Sequence, residues 1–141
     1  MTRLLAALPL CLLLFTACQM TGGTCSDMQA IIANIANNDS DIVRLTVHAP
    51  RPDGMIAIAS TAAAKLGKAS DPEDLRAVET GVTVVMDEGD AIDVTVPIRQ
   101  QDGAYTAAVG VTLKGDDTAV ATSKAHTIAA NIDNLMRLNN L

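Results

Sequence analysis

The stretch AIDVTVPIRQQDGAYTAAVGVTLK, residues 91–114, decides the fold. Branched apolar residues alternate with small or polar ones on both sides of Gln100-Gln101-Asp102-Gly103, which predicts two strands joined as a hairpin. In the second strand, the alternation places Tyr105 on the same face as Val109 and Val111. Large residues on one face oppose small residues on the other, which indicates that both faces of this sheet are covered.

Three more strands are expected before this hairpin. Residues 42–48 and 55–60 also alternate, and the Pro-Asp-Gly turn between them predicts a second hairpin. Residues 82–86 form another apolar run, which an acidic turn at residues 87–90 separates from Ala91. The sheet is therefore expected to have five strands.

Helices are expected at both ends of the domain and once between the strands. Apolar residues recur at helical spacing in residues 28–35 and 118–138. Asp71-Pro72 begins a short helix that Gly81 ends, because proline favours the first helical position and glycine the position after the last. Residues 61–69 predict either a short helix or an ordered loop. The fold class is α+β, with a central antiparallel five-stranded sheet flanked by N- and C-terminal helices.

The N-terminal stretch resembles a bacterial lipoprotein signal. An apolar run of 12 residues, 4–15, precedes Thr16-Ala17-Cys18, and it is shorter than the roughly 20 residues that cross a bilayer as a helix. We expect a signal peptide at residues 1–17, a lipidated Cys18 with a flexible tether at residues 18–26, and one domain at residues 27–141. The alternative is an export signal without lipidation.

This resemblance implies attachment to the cell envelope, facing the periplasm, through acyl chains on Cys18. Gln19 favours the outer membrane, because Asp at that position is associated with retention in the inner membrane. Cys11 would leave with the signal peptide. Cys25 is then expected to have no intrachain disulfide partner and to be a tether residue without a function; the alternative is a disulfide that links two copies of the chain.

Composition excludes several kinds of partner. The net charge of −6 and the lack of basic clusters with interleaved aromatics exclude nucleic-acid binding. The chain has no Trp and one Tyr, so aromatic cages and base-stacking platforms cannot form within one protomer.

The order of elements resembles PAS-like sensor domains, and in detail the small extracytoplasmic Cache domains. Three stretches carry the resemblance: Asp53 to Ser60 as a glycine-led second strand, Leu66-Gly67 through Gly81 as a pocket-capping loop and helix, and the Pro-Ile, Asp-Gly and Gly-Val hairpin of residues 96–111. GAF domains share that hairpin, and their paired terminal helices suit residues 27–38 and 118–138 equally well.

The resemblance implies a pocket between sheet and capping loop that binds a small polar metabolite. Strand positions that face the loop then supply its polar groups, which makes five residues candidates for ligand binding: Arg44, Ser60, Asp93, Thr95 and Tyr105. The Tyr, Trp and Arg cluster of amino-acid-binding Cache domains is missing, so that ligand class is not carried over. A chain that ends at Leu141 is expected to pass its signal to a separate membrane receptor.

Neither a metal nor a catalytic site is expected. His48 and His126 lie far apart in sequence without a supporting ligand motif, so both are expected to be solvated. Residues 87–90 lack the alternating oxygen ligands of a calcium loop. No nucleophile or metalloprotease motif and no phosphate-binding loop occurs, so we expect neither an enzyme nor a cofactor.

Two functional hypotheses follow. The first is a lipid-anchored periplasmic sensory module that binds a small metabolite. The second is a structural lipoprotein that forms a homodimer or docks on an envelope protein, with a pocket too small for a ligand.

Overall fold

The computed structural model describes residues 20–21 and 24–138. A short hairpin of β1 and β2 precedes the domain, whose elements then alternate between helix and sheet. In chain order the elements are β1 (Met20–Thr21), β2 (Thr24–Cys25), α1 (Ser26–Asn37), β3 (Ile42–Arg51), β4 (Gly54–Ser60), α2 (Pro72–Thr80), β5 (Val84–Asp87), β6 (Ala91–Arg99), β7 (Tyr105–Lys114) and α3 (Thr118–Leu138).

Strands β3 to β7 form one antiparallel sheet in the order β4-β3-β7-β6-β5. The hairpin of β6 and β7 pairs from Ala91 with Lys114 to Arg99 with Tyr105, so the stretch that predicted the fold forms the centre of the sheet. Helices α1 and α3 flank the sheet. The predicted α+β class with a five-stranded antiparallel sheet is confirmed.

The apolar core lies between one face of the sheet and the two terminal helices. Helix α1 packs on β3 and β4, α3 packs on β6 and β7, and the helices also contact each other. Alternate strand residues point into this layer because a strand presents every second side chain to one face. The most deeply buried core side chains are Met28, Ile32, Leu45, Val47, Val94, Val109, Val111 and Ile132.

The opposite face of the sheet is covered by residues 61–81, which we call the cap. The first part of the cap is a loop that pairs with the outer edge of β4, where Gly67 N–H donates to Ala57 O at 2.8 Å and Ala57 N–H donates to Lys68 O at 2.9 Å. Helix α2 then crosses over β5, β6 and β7. Gly81 ends α2 with a left-handed backbone at φ 67°, as its place in the sequence predicts.

Tyr105 departs from the predicted face because the ladder between β6 and β7 shifts register. Ile98 pairs with Ala107 while Arg99 pairs with Tyr105, which is a β-bulge. The Tyr105 ring consequently lies against Gly81 at the end of α2. The expectation that Tyr105 shares a face with Val109 is therefore wrong.

Two expectations about the N-terminal region are also wrong. Cys25 is 3% exposed and belongs to the core, so ordered structure reaches into the tether predicted at residues 18–26. Cys25 is also disulfide-bonded, although it was expected to stay alone. The β1–β2 hairpin pairs Met20 with Cys25, so the chain entering the domain runs back beside this cysteine.

The predicted signal peptide and Cys18 lie outside the described residues. Within the described residues, none of the helices combines the length and the apolar character that a membrane span requires.

Candidate functional site

The sheet face beneath the cap is buried yet polar. Neighbouring positions on β3, β7 and β6 bring Thr46, Gly110 and Thr95 into one row across this face. We call this surface the polar face, and its members on the sheet are Arg44, Thr46, His48, Ser60, Asp93, Thr95, Gly110 and Thr112. All of these except Arg44 and Gly110 are buried polar or charged side chains.

Asp93 anchors one end of the polar face. Its Oδ1 accepts a hydrogen bond from the Thr112 hydroxyl at 2.5 Å and another from Arg44 Nη2 at 3.3 Å. Arg44 also reaches Glu88 Oε1 at 3.4 Å. The guanidinium therefore neutralises a carboxylate whose side chain is only 9% exposed, which a buried charge requires.

His48 and Asp74 join the sheet to the cap. His48 Nδ1 lies 2.8 Å from Ser70 Oγ and 3.4 Å from Asp74 Oδ2. Asp74 accepts the Asp71 backbone N–H at 3.0 Å and the Thr95 hydroxyl at 3.3 Å. The carboxylate that caps α2 is thus also a member of the site.

Burial controls the charge of both groups. His48 is 6% exposed, and desolvation lowers its pKa from 6.5 to about 4, so the imidazole is neutral at pH 7. Desolvation raises the pKa of Asp74, against the lowering effect of its hydrogen bonds. His126 is exposed, as expected, and its Nε2 lies 3.0 Å from Thr83 Oγ1. The expectation that His48 is also solvated is wrong, because the cap covers it.

A small cavity opens between the polar face and the cap. Its volume is about 20 Å³, which suits one water-sized group. Gly110 is one of its lining residues, and a glycine adds no side chain to fill the space. The lining residues are Arg44, Thr46, His48, Lys65, Asp71, Glu73, Asp74, Asp93 and Gly110. We call this cavity the cap pocket.

Three carboxylates at the start of α2 lie close enough together to be compared with a metal site. Oxygens of Asp71, Glu73 and Asp74 fall within 4.8 Å of one another. Lys65 Nζ lies 2.5 Å from Asp71 Oδ2, so an ammonium group already neutralises part of this cluster. A second cavity of about 150 Å³, between Met28 and Met136 at the end of the core, is mainly apolar.

The predicted site residues divide into three groups. Arg44 and Asp93 line the cap pocket. Thr95 and Ser60 lie on the polar face beside it, where Thr95 binds Asp74 and Ser60 Oγ lies 2.9 Å from Thr46 Oγ1. Tyr105 lies apart from the pocket, against the end of α2.

Sequence reasoning missed seven of the nine residues that line the cap pocket, and three of them, His48, Asp74 and Lys65, show why. His48 occupies the same alternate set as Arg44 on β3, and that signal was available. Asp74 lies in the first turn of α2, where an acidic residue is common because it interacts favourably with the helix N-terminus, and Lys65 lies in a loop without periodicity. Both come from the cap, whose placement over the sheet is set by tertiary packing.

Comparisons with known proteins bear on the fold. Neither a protein-family model nor a curated protein matches the chain. The chain is similar in structure to a type II free methionine-R-sulfoxide reductase from Thermoplasma acidophilum, with a TM-score of 0.54 and 15% sequence identity. The match covers 78% of this chain and 89% of that one. This likeness shows a shared fold and carries no activity over to this chain.

Proposed function

We propose that this protein is a lipid-anchored sensory module of the bacterial envelope, whose cap pocket binds a small polar metabolite. A change in the cap on ligand binding would transmit the signal to a separate membrane partner. The observation that supports this proposal is the buried polar face, which combines convergent charged and hydroxyl groups with an opening to solvent. Ligand sites in proteins use such small sets of placed polar groups.

The polar face is hard to account for as a folding device. Burying charged groups such as Asp74 and Asp93 is unfavourable even when they are paired. The other face of the same sheet supplies the apolar core with the terminal helices. A cap that only protected the sheet would be more stable over apolar side chains.

The size of the cap pocket limits how a ligand can bind. A cavity of about 20 Å³ holds one small group, so the rest of a metabolite would lie at the mouth. The Lys65 and Asp71 side chains, 40% and 44% exposed, flank that mouth. A larger ligand would displace the cap, and this displacement is the proposed signal.

Within the PAS-like class, the arrangement of the helices supports the GAF-like alternative over the Cache-like one. Helices α1 and α3 contact each other on one face of the sheet, as the paired terminal helices of GAF domains would.

We further propose that the protein is not a sulfoxide reductase despite its structural neighbour. Reducing a sulfoxide takes two electrons, which a pair of thiols can supply as they form a disulfide. The residues that line the cap pocket include no cysteine. Cys25 lies on the opposite face of the sheet, where it lines the mainly apolar cavity of about 150 Å³ and not the cap pocket.

The docking alternative also has an observation in its favour. Leu75, Val82 and Val85 are 46%, 61% and 38% exposed on α2, the following connection and β5. Because β5 is the last strand of its sheet, a partner strand has room to pair with it.

A thermal-shift screen of small metabolites against the full-length protein separates these proposals. A ligand at 100 times its Kd should raise the free energy of unfolding by about 2.7 kcal/mol. Asp93→Asn should lose most of this shift, whereas Asp53→Asn, in the exposed β3–β4 turn, should keep it. A dimer that no metabolite stabilises would favour docking instead.

The anchor is tested by Cys18→Ala in a Gram-negative host. Lipidation predicts that the variant moves from the membrane pellet to the soluble fraction. It also predicts no change at Cys25 on alkylation, because a Cys18 sulfur that carries the lipid cannot be a disulfide partner for Cys25. A variant that stays in the pellet, or newly exposes the Cys25 thiol, would contradict lipidation.

A further inference from the structure

We infer that the cap pocket takes a primary ammonium group, seated over Gly110 between His48 and Asp74, so that the ligand is a small primary amine. This inference rests on the proposed binding function and names its ligand class.

The geometry begins at Gly110. A Cβ built there would lie 3.7 Å from His48 Nε2, 3.9 Å from Asp74 Oδ1 and 3.9 Å from Thr95 Oγ1. These atoms come from β3, α2 and β6, so three elements converge on one position that the glycine leaves empty. A glycine in a strand commonly marks such a close approach.

The bonding capacity of these atoms defines what can sit there. His48 Nδ1 faces the Asp74 carboxylate, which can only accept, so we assign the ring proton to Nδ1. His48 Nε2 then presents a lone pair, and it makes no hydrogen bond among the described residues although the side chain is only 7% exposed. The Thr95 hydroxyl already donates to Asp74 Oδ1. A group bound here must therefore be a donor.

Charge selects a cation among the possible donors. Four carboxylates and two basic side chains line the cap pocket. Arg44 pairs with Asp93 and Lys65 with Asp71, which leaves Glu73 and Asp74 without a Lys or Arg partner among the described residues. Of these two, Asp74 is the carboxylate that faces Gly110. The neutral His48 adds no positive charge.

Size and shape exclude the other cationic groups. A quaternary ammonium has no N–H to donate and is normally held by several aromatic faces, whereas Tyr105 is the only aromatic side chain among the described residues and lies against Gly81. The volume of about 20 Å³ is small for a planar guanidinium. A divalent metal would compete with the Lys65 ammonium for the carboxylates at the start of α2.

The test is an NMR titration of the full-length protein in detergent, following the His48 ring and the Gly110 amide. The probes are methylammonium, methanol, formate and tetramethylammonium. Methanol and formate are similar to methylammonium in size, and tetramethylammonium has the same charge. Methylammonium should give saturable shifts at both groups, at least tenfold tighter than any other probe. Preference for formate, equal response to methanol, or displacement of methylammonium by Zn²⁺ would overturn the inference.

Two variants locate the site. Gly110→Ala should fold, because its Cβ meets no atom closer than 3.7 Å and its backbone is not left-handed. It should nevertheless weaken methylammonium binding at least tenfold, because the alanine methyl group occupies the position over residue 110 where the ammonium group would bind. His48→Gln should also weaken binding, whereas His126→Gln should not. Unchanged binding in a folded Gly110→Ala protein would overturn the inference.

The outcome separates this inference from the function on which it rests. If the metabolite screen finds a ligand without an amine while methylammonium fails to bind, the amine assignment is wrong and the binding function stands. If neither a metabolite nor methylammonium binds, both are wrong.

Discussion

Lowering the pH from 7 to 4 should reduce the free energy of unfolding by about 3 kcal/mol through His48 alone. The pKa of His48 falls from 6.5 to about 4 on folding because burial disfavours the charged ring. Between these values the unfolded chain binds the proton and the native protein does not. The stabilisation is therefore complete above pH 6.5 and is lost as the pH falls toward 4.

Asp74 acts in the opposite direction. Burial raises its pKa, so the native protein takes up a proton at a higher pH than the unfolded chain and gains stability as the pH falls. Comparing wild type with His48→Gln isolates the histidine, because both proteins keep Asp74.

The measurement is urea unfolding at several pH values from 4 to 7.5. The difference in unfolding free energy between wild type and His48→Gln should shrink toward pH 4, while the difference between wild type and His126→Gln should stay constant. A constant difference for His48→Gln would mean that the ring is not held neutral beneath the cap.

Ile132→Ala should lower the free energy of unfolding by about 3 kcal/mol, within the range for large-to-small changes in a core. Ile132 is 0% exposed in the layer between α3 and the sheet. Removing its side chain leaves a cavity that its packed neighbours fill only in part.

Val120→Ala on the same helix is the matched control. Val120 is 62% exposed, so its truncation should change stability by less than about 0.5 kcal/mol. Equal effects of the two substitutions in urea unfolding would contradict the packing of α3 against the sheet.

The shared use of Asp74 suggests how the cap would respond to a ligand. Asp74 and Asp71 form the capping box that begins α2, and Asp74 also faces the cap pocket. An ammonium group that donates a hydrogen bond to this carboxylate would compete with the Asp71 backbone N–H and the Thr95 hydroxyl for its oxygens. Ligand binding would therefore alter the first turn of α2 directly.

Local patterns predict the sheet because its strands obey simple rules. The hairpin of residues 91–114 alternates without interruption over most of its length, and Gln100 to Gly103 form a recognisable turn. Helix α2 begins after Asp71 and ends before Gly81, as its proline and glycine predict. These features depend on neighbours in sequence, so a single chain contains the information.

The predictions from sequence fail where contacts between distant parts of the chain determine the structure. Tyr105 changes face through a bulge, and nothing in the alternation of β7 marks the extra residue. His48 has the spacing of a strand residue, but whether the cap covers that strand depends on how residues 61–81 pack. Cys25 belongs to the core because of contacts that no local pattern describes.

The candidate site shows the same division. Arg44 and Asp93 were predicted because they alternate on strands that face the cap. Asp74 was missed because an acidic residue in the first turn of a helix is common for local reasons, so it does not by itself indicate a site. A carboxylate that serves two purposes gives no separate signal for the second.

Native mass spectrometry of the full-length protein, purified from the envelope of its Gram-negative expression host, tests the binding function most directly. The account predicts a fraction of the protein with one retained small molecule, whose loss on mild activation leaves the apo mass and which Asp93→Asn fails to retain. A uniform apo species, with no small molecule retained from the envelope or captured from an added metabolite mixture, would contradict it.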